Sequence, residues 1–382
     1  MAEVYSVAAA QVAYSFITMG TIQKWARGMA FVGYLLCGVS GCGGEPHSTG
    51  ALLAPPPPGE GFQLSTGDFE VPAGTDVQAC YFFKVSDLAE KFGYASSSPL
   101  LLHRTQIAYK LGSHHMNIFR VRTIKDLDPA NGAVQVSQNG DQACAFSQNW
   151  SDWPLVANNQ LPGDFDWAYP DGVGNELQPD ETLMLQSHYV NATSQATPDG
   201  ARADVNLWTM PRSELKHSLG TLFATKQSIR ICQSNPTPAF SGTCQINSPE
   251  PVHIIGANGH FHSRGKEFGM YAWDGKTTET PPDSQRFYRS DVWDEPPMLR
   301  SPELDTELPP FGGVWYTCAY EWSPPKPSVG CAGLNKLDQE GENKTPDSAL
   351  DCCYTFGNTV DGAEHCNSFV YYYPKQDDVR CF

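Results

Sequence analysis

The sequence contains many short runs of residues that are typical of β-strands. They are rich in aromatic and β-branched residues, and clusters of Gly, Pro, Asn and Asp separate them. The clearest are YFFKV (81–85), NIFRVRTI (117–124), TLMLQSHYV (182–190), VHIIGANGHFH (252–262), FGMYAW (268–273), GVWYTCAYEW (313–322) and SFVYYYP (368–374). Short strands that recur with turn signals between them are typical of β-sandwiches. We therefore predict an all-β fold, and the 34 Gly and 30 Pro argue against long helices.

The length of 382 residues exceeds that of a usual single domain, so two sandwiches are expected. A strand-like segment ends in TMPRSELKH (209–217), where a Pro and several charged residues intervene. We place the boundary at this point and predict domains at 62–210 and 211–382.

The amino end predicts an export signal. Lys24 and Arg27 precede a short apolar run (29–36), and the small residues before Cys42 resemble the lipobox of bacterial lipoproteins. The run is too short to span a bilayer. We expect residues 1–41 to be removed and Cys42 to be acylated, with a plain secretory signal or a short anchor as the alternative. The predicted location is the bacterial cell envelope, lipid-anchored, or the exterior, with the anchor as the sole membrane contact.

Four consecutive prolines (55–58) follow this signal and favour an extended tether at 42–61. Folded structure is expected from about residue 62.

Cysteine usage fits an exported protein. Ten cysteines remain after the signal, at 80, 144, 232, 244, 318, 331, 352, 353, 366 and 381, which allows up to five disulfides. Cys80 and Cys144 should pair if the amino half folds alone, and the other pairings stay open. Zinc sites are the weaker alternative, because the chain has no CxxC pair.

The charge excludes one class of partner. The formal net charge is -17 and the pI is near 4.9, so most of the surface would repel a phosphate backbone. We expect no nucleic-acid partner.

Two groups of closely spaced histidines are candidate metal ligands. His260 and His262 are two apart in a predicted strand, so their imidazoles should project from one face and could bind one ion. His114 and His115 are neighbours, which face opposite ways in a regular strand, so a bulge or strand end is required for both to reach one ion. The alternatives are a chance pair at 260 and 262, and one buried and one solvated histidine at 114 and 115. Taken alone, the position of His188 is typical of a histidine in the core or in an edge strand and not of a metal ligand.

Four histidine segments together resemble the copper type II ascorbate-dependent monooxygenases, the family of peptidylglycine alpha-hydroxylating and dopamine beta-monooxygenases. The segments are HHM (114–116), LQSHY (185–189), HFH (260–262) and HCN (365–367), the last followed by YYY (371–373). Their order and approximate separation match, and the resemblance covers about residues 75–382.

The resemblance implies two jelly-roll-like β-sandwich domains that face each other across a solvent-filled cleft, with one copper in each. It gives His114, His115 and His188 to the electron-transfer copper of the first domain. It gives His260 and His262 to the oxygen-activating copper of the second domain.

At one position the chain departs from the family pattern. The family has a methionine before the cysteine of a Met-Cys-Asn segment, whereas this chain has His365 before Cys366. The resemblance therefore implies a catalytic site of His260, His262 and His365. A thioether favours Cu(I), the form that must meet O₂, while imidazole also stabilises Cu(II), so oxygen chemistry is less assured.

Three further positions can be compared with the family. Gln186 agrees with the family, but Asn258 and Phe369 stand where the peptide-hydroxylating member has a carboxylate-binding arginine and a substrate-contacting tyrosine. A peptide carboxylate is therefore disfavoured.

The expected function is a copper monooxygenase. It would bind two coppers and insert one atom of O₂ into a C–H bond of a small organic substrate, with ascorbate or another one-electron donor as reductant. The alternatives are a copper-binding or copper-delivery lipoprotein without turnover, and a protein in which one site holds structural zinc.

Overall fold

The structure is a computed structural model. It describes residues 52–110, 112–122, 130–138, 153–160, 165–191, 193–196, 200–325, 335–337, 351–357 and 360–382, with the backbone alone at 114, 137–138 and 335–337. The predicted signal peptide, Cys42, Cys144 and Cys331 lie outside the described residues.

The amino half contains ten strands and one short helix, α1 (Val85–Lys91). The strands are β1 (Gly61–Ser65), β2 (Asp76–Lys84), β3 (Leu100–Tyr109), β4 (Ser113–Arg120), β5 (Val134–Gln138), β6 (Leu155–Asn159), β7 (Phe165–Ala168), β8 (Val173–Leu177), β9 (Thr182–Val190) and β10 (Ala203–Thr209).

The carboxyl half continues with fourteen strands and two 3-10 turns, at Arg212–Glu214 and Asp283–Gln285. The strands are β11 (His217–Ser218), β12 (Gly220–Thr225), β13 (Arg230–Cys232), β14 (Ala239–Ile246), β15 (Val252–His260), β16 (Gly265–Trp273), β17 (Arg286–Ser290), β18 (Leu299–Arg300), β19 (Thr306–Leu308), β20 (Gly313–Tyr320), β21 (Asn335–Leu337), β22 (Asp351–Thr355), β23 (Asn367–Tyr373) and β24 (Val379–Cys381). The prediction of an all-β sandwich fold is confirmed.

Two sheets form the amino half. One has the order β1-β10-β3-β8 with β7 also paired to β3, and β11 of the carboxyl half is added to it beside β8; the other has the order β5-β2-β9-β4-β6. Strand β9 is central in the second sheet, and its residues from Leu183 to Tyr189 are all buried. Because side chains alternate along a strand, Gln186 and His188 share one face, and Leu183 and Leu185 share the other.

Two larger sheets and one small sheet form the carboxyl half. The larger ones have the orders β12-β23-β15-β18, with β19 also on β15, and β17-β16-β20-β14-β24, and the small one is β13-β22-β21. In β23, Val370 and Tyr372 face the core of this half. Phe369 and Tyr371, on the opposite face, belong to the core cluster of the amino half. Tyr371 and Tyr372 are therefore packed on opposite faces of β23.

The two halves share an apolar interface. Phe119 contacts Phe223 with ring centres 5.8 Å apart, Phe223 contacts Phe369 at 4.9 Å, and Trp167 contacts Tyr371 at 5.1 Å. Residues 49–382 form one compact unit. The histidine faces of β4, β9 and β15 border this interface.

Part of the segment expected to be an extended tether is held against the folded body. The backbone N–H of Leu52 donates to the Asp204 carboxylate at 2.6 Å, and the Asn206 side chain donates to the carbonyl of Ala54 at 2.8 Å. The first strand begins at Gly61. Residues 52–54 are therefore tied to β10, ahead of the first strand.

Three disulfides join described cysteines: Cys232–Cys353, Cys244–Cys381 and Cys318–Cys366. Cys80 and Cys352 are also disulfide-bonded. The predicted Cys80–Cys144 pair involves a cysteine outside the described residues, so it stays a prediction. Disulfides are typical of an oxidising compartment, which agrees with export. Within the described ranges, no helix has the length and apolar character needed to cross a membrane.

Candidate metal centre

His260 and His262 converge at the end of β15. The ring centres are 5.2 Å apart, and both side chains are buried. Phe261 between them points the other way, into the core, where it stacks on Phe268 at 6.1 Å. The alternation expected from the sequence is thus present, and both imidazoles lie on one side of the chain.

His365 completes a group of three imidazoles. Its ring centre lies 4.3 Å from that of His262 and 5.4 Å from that of His260. One ligand nitrogen from each of the three lies within 4.8 Å of the others. Nitrogens bound to one tetrahedral ion at about 2.0–2.1 Å lie about 3.4 Å apart, so small ring rotations would bring these three onto one ion. The residues therefore fit a metal ion.

A buried carboxylate ties the two ligand segments together. Glu364 accepts the backbone N–H of His262 at 2.9 Å with one oxygen and that of Arg264 at 2.7 Å with the other. Burial raises the pKa of Glu364 to about 8. The Arg264 guanidinium lies over the ring of Tyr354 and donates to its hydroxyl at 2.7 Å. The turn after β15 is therefore fixed relative to the segment that carries His365.

Two more contacts hold His365. The Tyr320 hydroxyl donates to the His365 carbonyl at 2.5 Å, and the next residue, Cys366, is bonded to Cys318. Both partners lie on β20, so the sheet behind the site fixes the backbone of this candidate ligand.

The protonation state of the site suits a metal. The Nδ1–H of His262 donates to the carbonyl of Ala363 at 3.0 Å, which directs Nε2 as the ligand atom. Burial lowers the pKa of His262 to about 4, and it also lowers the pKa values of His115 and His365 well below the ordinary value. Neutral imidazole is the form that binds metal ions.

His115 and His188 meet on the amino half. Ser113 pairs with Tyr189 and His115 with His188, so His114 is the extra residue of a β-bulge. This is the bulge that the neighbouring histidines require. The rings of His115 and His188 are 4.8 Å apart, and both are buried. The side chain of His114 lies outside the described residues, so its role as a ligand stays a prediction.

His188 has a carboxylate behind it. Its Nε2 lies 2.6 Å from Oδ1 of Asp76 on the adjacent strand β2. A metal-binding histidine commonly donates its second ring N–H to a carboxylate, which fixes the tautomer and the ring orientation. In this arrangement Nδ1 is the atom that could bind an ion.

The two histidine groups touch across the halves. The rings of His115 and His260 are 5.3 Å apart, edge to face. The resemblance implies a solvent-filled cleft at this position, whereas the cavity beside these rings has a free volume of about 10 Å³. It is lined by Gln78, His115, Asn117, Gln160, Gln186, His260, His365, Asn367 and Phe369. In the described region the halves are therefore closed onto each other at the histidines.

Buried amides form the rest of the lining. Gln160 donates to Asn117 at 3.3 Å, Asn117 to Gln186 at 3.0 Å, and Gln186 to Gln78 at 3.1 Å, so a ladder of hydrogen bonds crosses the sheet. Asn367 is the register partner of His260, and its Oδ1 accepts no hydrogen bond within the described residues although it is buried. Buried polar atoms normally have a partner, so this oxygen indicates a ligand or a water.

Sequence reasoning missed several of these residues. Asn117 was detectable, because it lies two residues after His115 and so shares its face of β4. Asp76 and Glu364 carry no local signal, since their partners are more than a hundred residues away in the chain.

Comparison with known proteins adds no family assignment. No protein-family model matches the chain. A comparison with curated proteins likewise found no match.

Proposed function

We propose that this protein is a copper-dependent monooxygenase. One observation carries the proposal: five histidines from four distant parts of the chain, namely 115, 188, 260, 262 and 365, lie in one buried group. Imidazole is a favoured ligand of copper, zinc, iron and nickel, and the choice of copper rests on the resemblance of the histidine segments.

The two histidine groups have different roles in this proposal. His260, His262 and His365 would hold the copper that activates O₂, and His115 and His188, with His114, would hold the copper that supplies an electron. Bound copper would supply one-electron chemistry with O₂, with ascorbate or a similar donor as reductant.

The chain's own residues prepare this site. The cavity is narrow, with a free volume of about 10 Å³, and its histidines are buried, so little water would lie beside the reacting atoms. Glu364 holds the backbone of His262, and Tyr320 holds that of His365. Asp76 orients His188. Phe369 provides an apolar wall of the cavity.

Removal of single ligands tests the proposal. Replacing His260 or His262 with alanine should abolish reductant-dependent O₂ uptake and leave one copper per chain on the amino-half histidines. His253→Ala is the matched control, because His253 lies on the same strand but is partly exposed and contacts Asp305 at 2.8 Å. An unchanged copper count of two in the His260 and His262 variants would contradict the assignment.

A second candidate function is copper storage or delivery without turnover. The cavity of about 10 Å³ favours it, because that volume admits about one water and no organic substrate. The three-imidazole site favours it too, since imidazole stabilises Cu(II) as well as Cu(I). Copper-loaded protein that binds the metal but shows no reductant-dependent O₂ uptake with candidate substrates would support this function over the first. Metal analysis of protein purified without added metal would reveal zinc at either site.

A further inference from the structure

We propose that the two coppers form one binuclear centre whose ligands come from both halves, with His115 and His260 facing each other across it. Coppers held by these residues would be close enough to share a bridging oxygen ligand. The inference rests on the proposed copper binding and goes beyond it, because the resemblance implies one separate copper in each domain.

The ring distances carry the argument. The rings of His188 and His115 are 4.8 Å apart, those of His115 and His260 are 5.3 Å apart, and those of His260 and His262 are 5.2 Å apart. Two imidazoles bound to one tetrahedral ion at about 2.0 Å have ring centres about 5 Å apart. The contact between the halves is thus as close as the contacts within each group. The structure therefore has no gap between the two histidine groups at these rings.

The interface holds this contact in place. The hydroxyl of Tyr371 donates to Oδ1 of Asn158 at 2.7 Å, and the Asn158 amide lies 3.4 Å from Oδ1 of Asn258. All three side chains are buried, and they join β23, β6 and β15. Gly256 lies at the same interface, where an added Cβ would be 2.7 Å from the Trp167 ring. The approach of His115 to His260 is therefore set by several contacts between the halves and not by the rotamer of one side chain.

The cavity favours a bridging anion. The part of its lining that the structure describes consists of imidazoles, amides and Phe369, with no carboxylate. Two Cu(II) ions on neutral imidazoles carry four positive charges, which no side chain of this lining can balance directly. The free volume of about 10 Å³ fits about one water-sized particle. A hydroxide between the ions would fit this volume and reduce the charge.

Electron paramagnetic resonance of the full chain loaded with Cu(II) tests the inference. We expect two coppers per chain by metal analysis, with most of the spin intensity lost because the two unpaired electrons couple through the bridge. X-ray absorption on the same sample should show a copper–copper distance of about 3.5–4 Å, as in other two-metal sites. Two bound coppers with full, non-interacting spin intensity would overturn the inference and leave the proposed copper binding intact. One copper per chain would also overturn it, and failure to bind any copper would refute the proposed function itself.

The variant His115→Ala distinguishes one shared centre from two independent sites. In a shared centre, His115→Ala should restore the spin signal and change the spectrum of the copper held by His260, His262 and His365. With separate sites, that spectrum would stay as it is in the unmodified protein, which would contradict the proposal. His253→Ala is the control and should leave the coupled signal unchanged. The absorption measurement on unmodified protein decides the question even if His115→Ala does not fold.

Discussion

Glu364 and His262, which are 102 positions apart in the chain, are joined by a buried hydrogen bond from the backbone N–H of His262 to the Glu364 carboxylate, 2.9 Å long. The second carboxylate oxygen accepts the N–H of Arg264. Since Glu364 immediately precedes His365, this one side chain fixes the spacing between two candidate ligands.

Replacing Glu364 with alanine should therefore damage both stability and metal binding. Two buried N–H groups would lose their acceptor, at a cost of about 1–3 kcal/mol each in the free energy of unfolding. Copper affinity should fall about 10- to 100-fold, as is usual when a residue behind a metal ligand is removed. Thermal denaturation and copper titration measure the two effects. Glu321→Ala is the control, because Glu321 is exposed and paired only with Lys266 among described residues. Unchanged copper affinity in Glu364→Ala would contradict the positioning role.

Asp76 should act in the same way on the amino half. Asp76→Asn keeps the shape of the side chain but removes the charge beside His188 Nε2. We expect the dissociation constant for copper at the amino-half histidines to rise about 10- to 100-fold, with little change in the melting temperature. Asp87→Asn, on the exposed face of α1, is the comparison variant. If both variants bind copper equally well, Asp76 does not orient the ligand.

The turn after β15 has no room for a side chain at Gly265. A Cβ there would lie 1.8 Å from the Phe261 ring, which is fully buried between the two histidine positions. Gly265→Ala should cost about 1–3 kcal/mol of stability through overpacking and should disturb His260 and His262 together. The double variant Gly265→Ala, Phe261→Leu relieves the clash and should recover part of the lost melting temperature. No recovery would show that the close approach to Phe261 is not the cause.

The Cys318–Cys366 disulfide should matter for the metal site as well as for stability. Changing both cysteines to alanine should lower stability by about 2–5 kcal/mol and broaden the copper spectrum, because the backbone next to His365 is released. Removal of the Cys244–Cys381 disulfide, which closes the last strand onto β14, is the matched control. It should lower stability and leave the copper spectrum unchanged. Equal spectra for the two double variants would contradict the local role.

The hydrogen bond between Tyr371 and Asn158 should stabilise the closed halves. Tyr371→Phe removes the hydroxyl and leaves a buried Asn158 oxygen with fewer donors, at an expected cost of about 1–3 kcal/mol. Denaturant unfolding measures this loss of stability. Tyr373→Phe, at the half-buried end of the same strand, should have a smaller effect, and the reverse order would show that the buried contact does not hold the halves.

Strand periodicity predicted the fold class because alternation is a local property of the sequence. The bulge at His114 could be anticipated for the same reason, since neighbouring residues in a regular strand face opposite ways. The closeness of His115 and His260 could not be anticipated. It depends on Phe223, Phe369 and Tyr371 packing against the other half, and in the sequence these residues look like ordinary core positions. The partnerships of Asp76 and Glu364 are likewise products of the tertiary structure.

The continuous packing of Phe119, Phe223 and Phe369 has a consequence for how the protein melts. Because the two sandwiches share aromatic packing, both should unfold at one temperature, and calorimetry should record one heat-absorption peak. A fragment that stops at residue 210 would leave Phe119 and Trp167 without the rings that cover them, and it should therefore be insoluble when expressed alone.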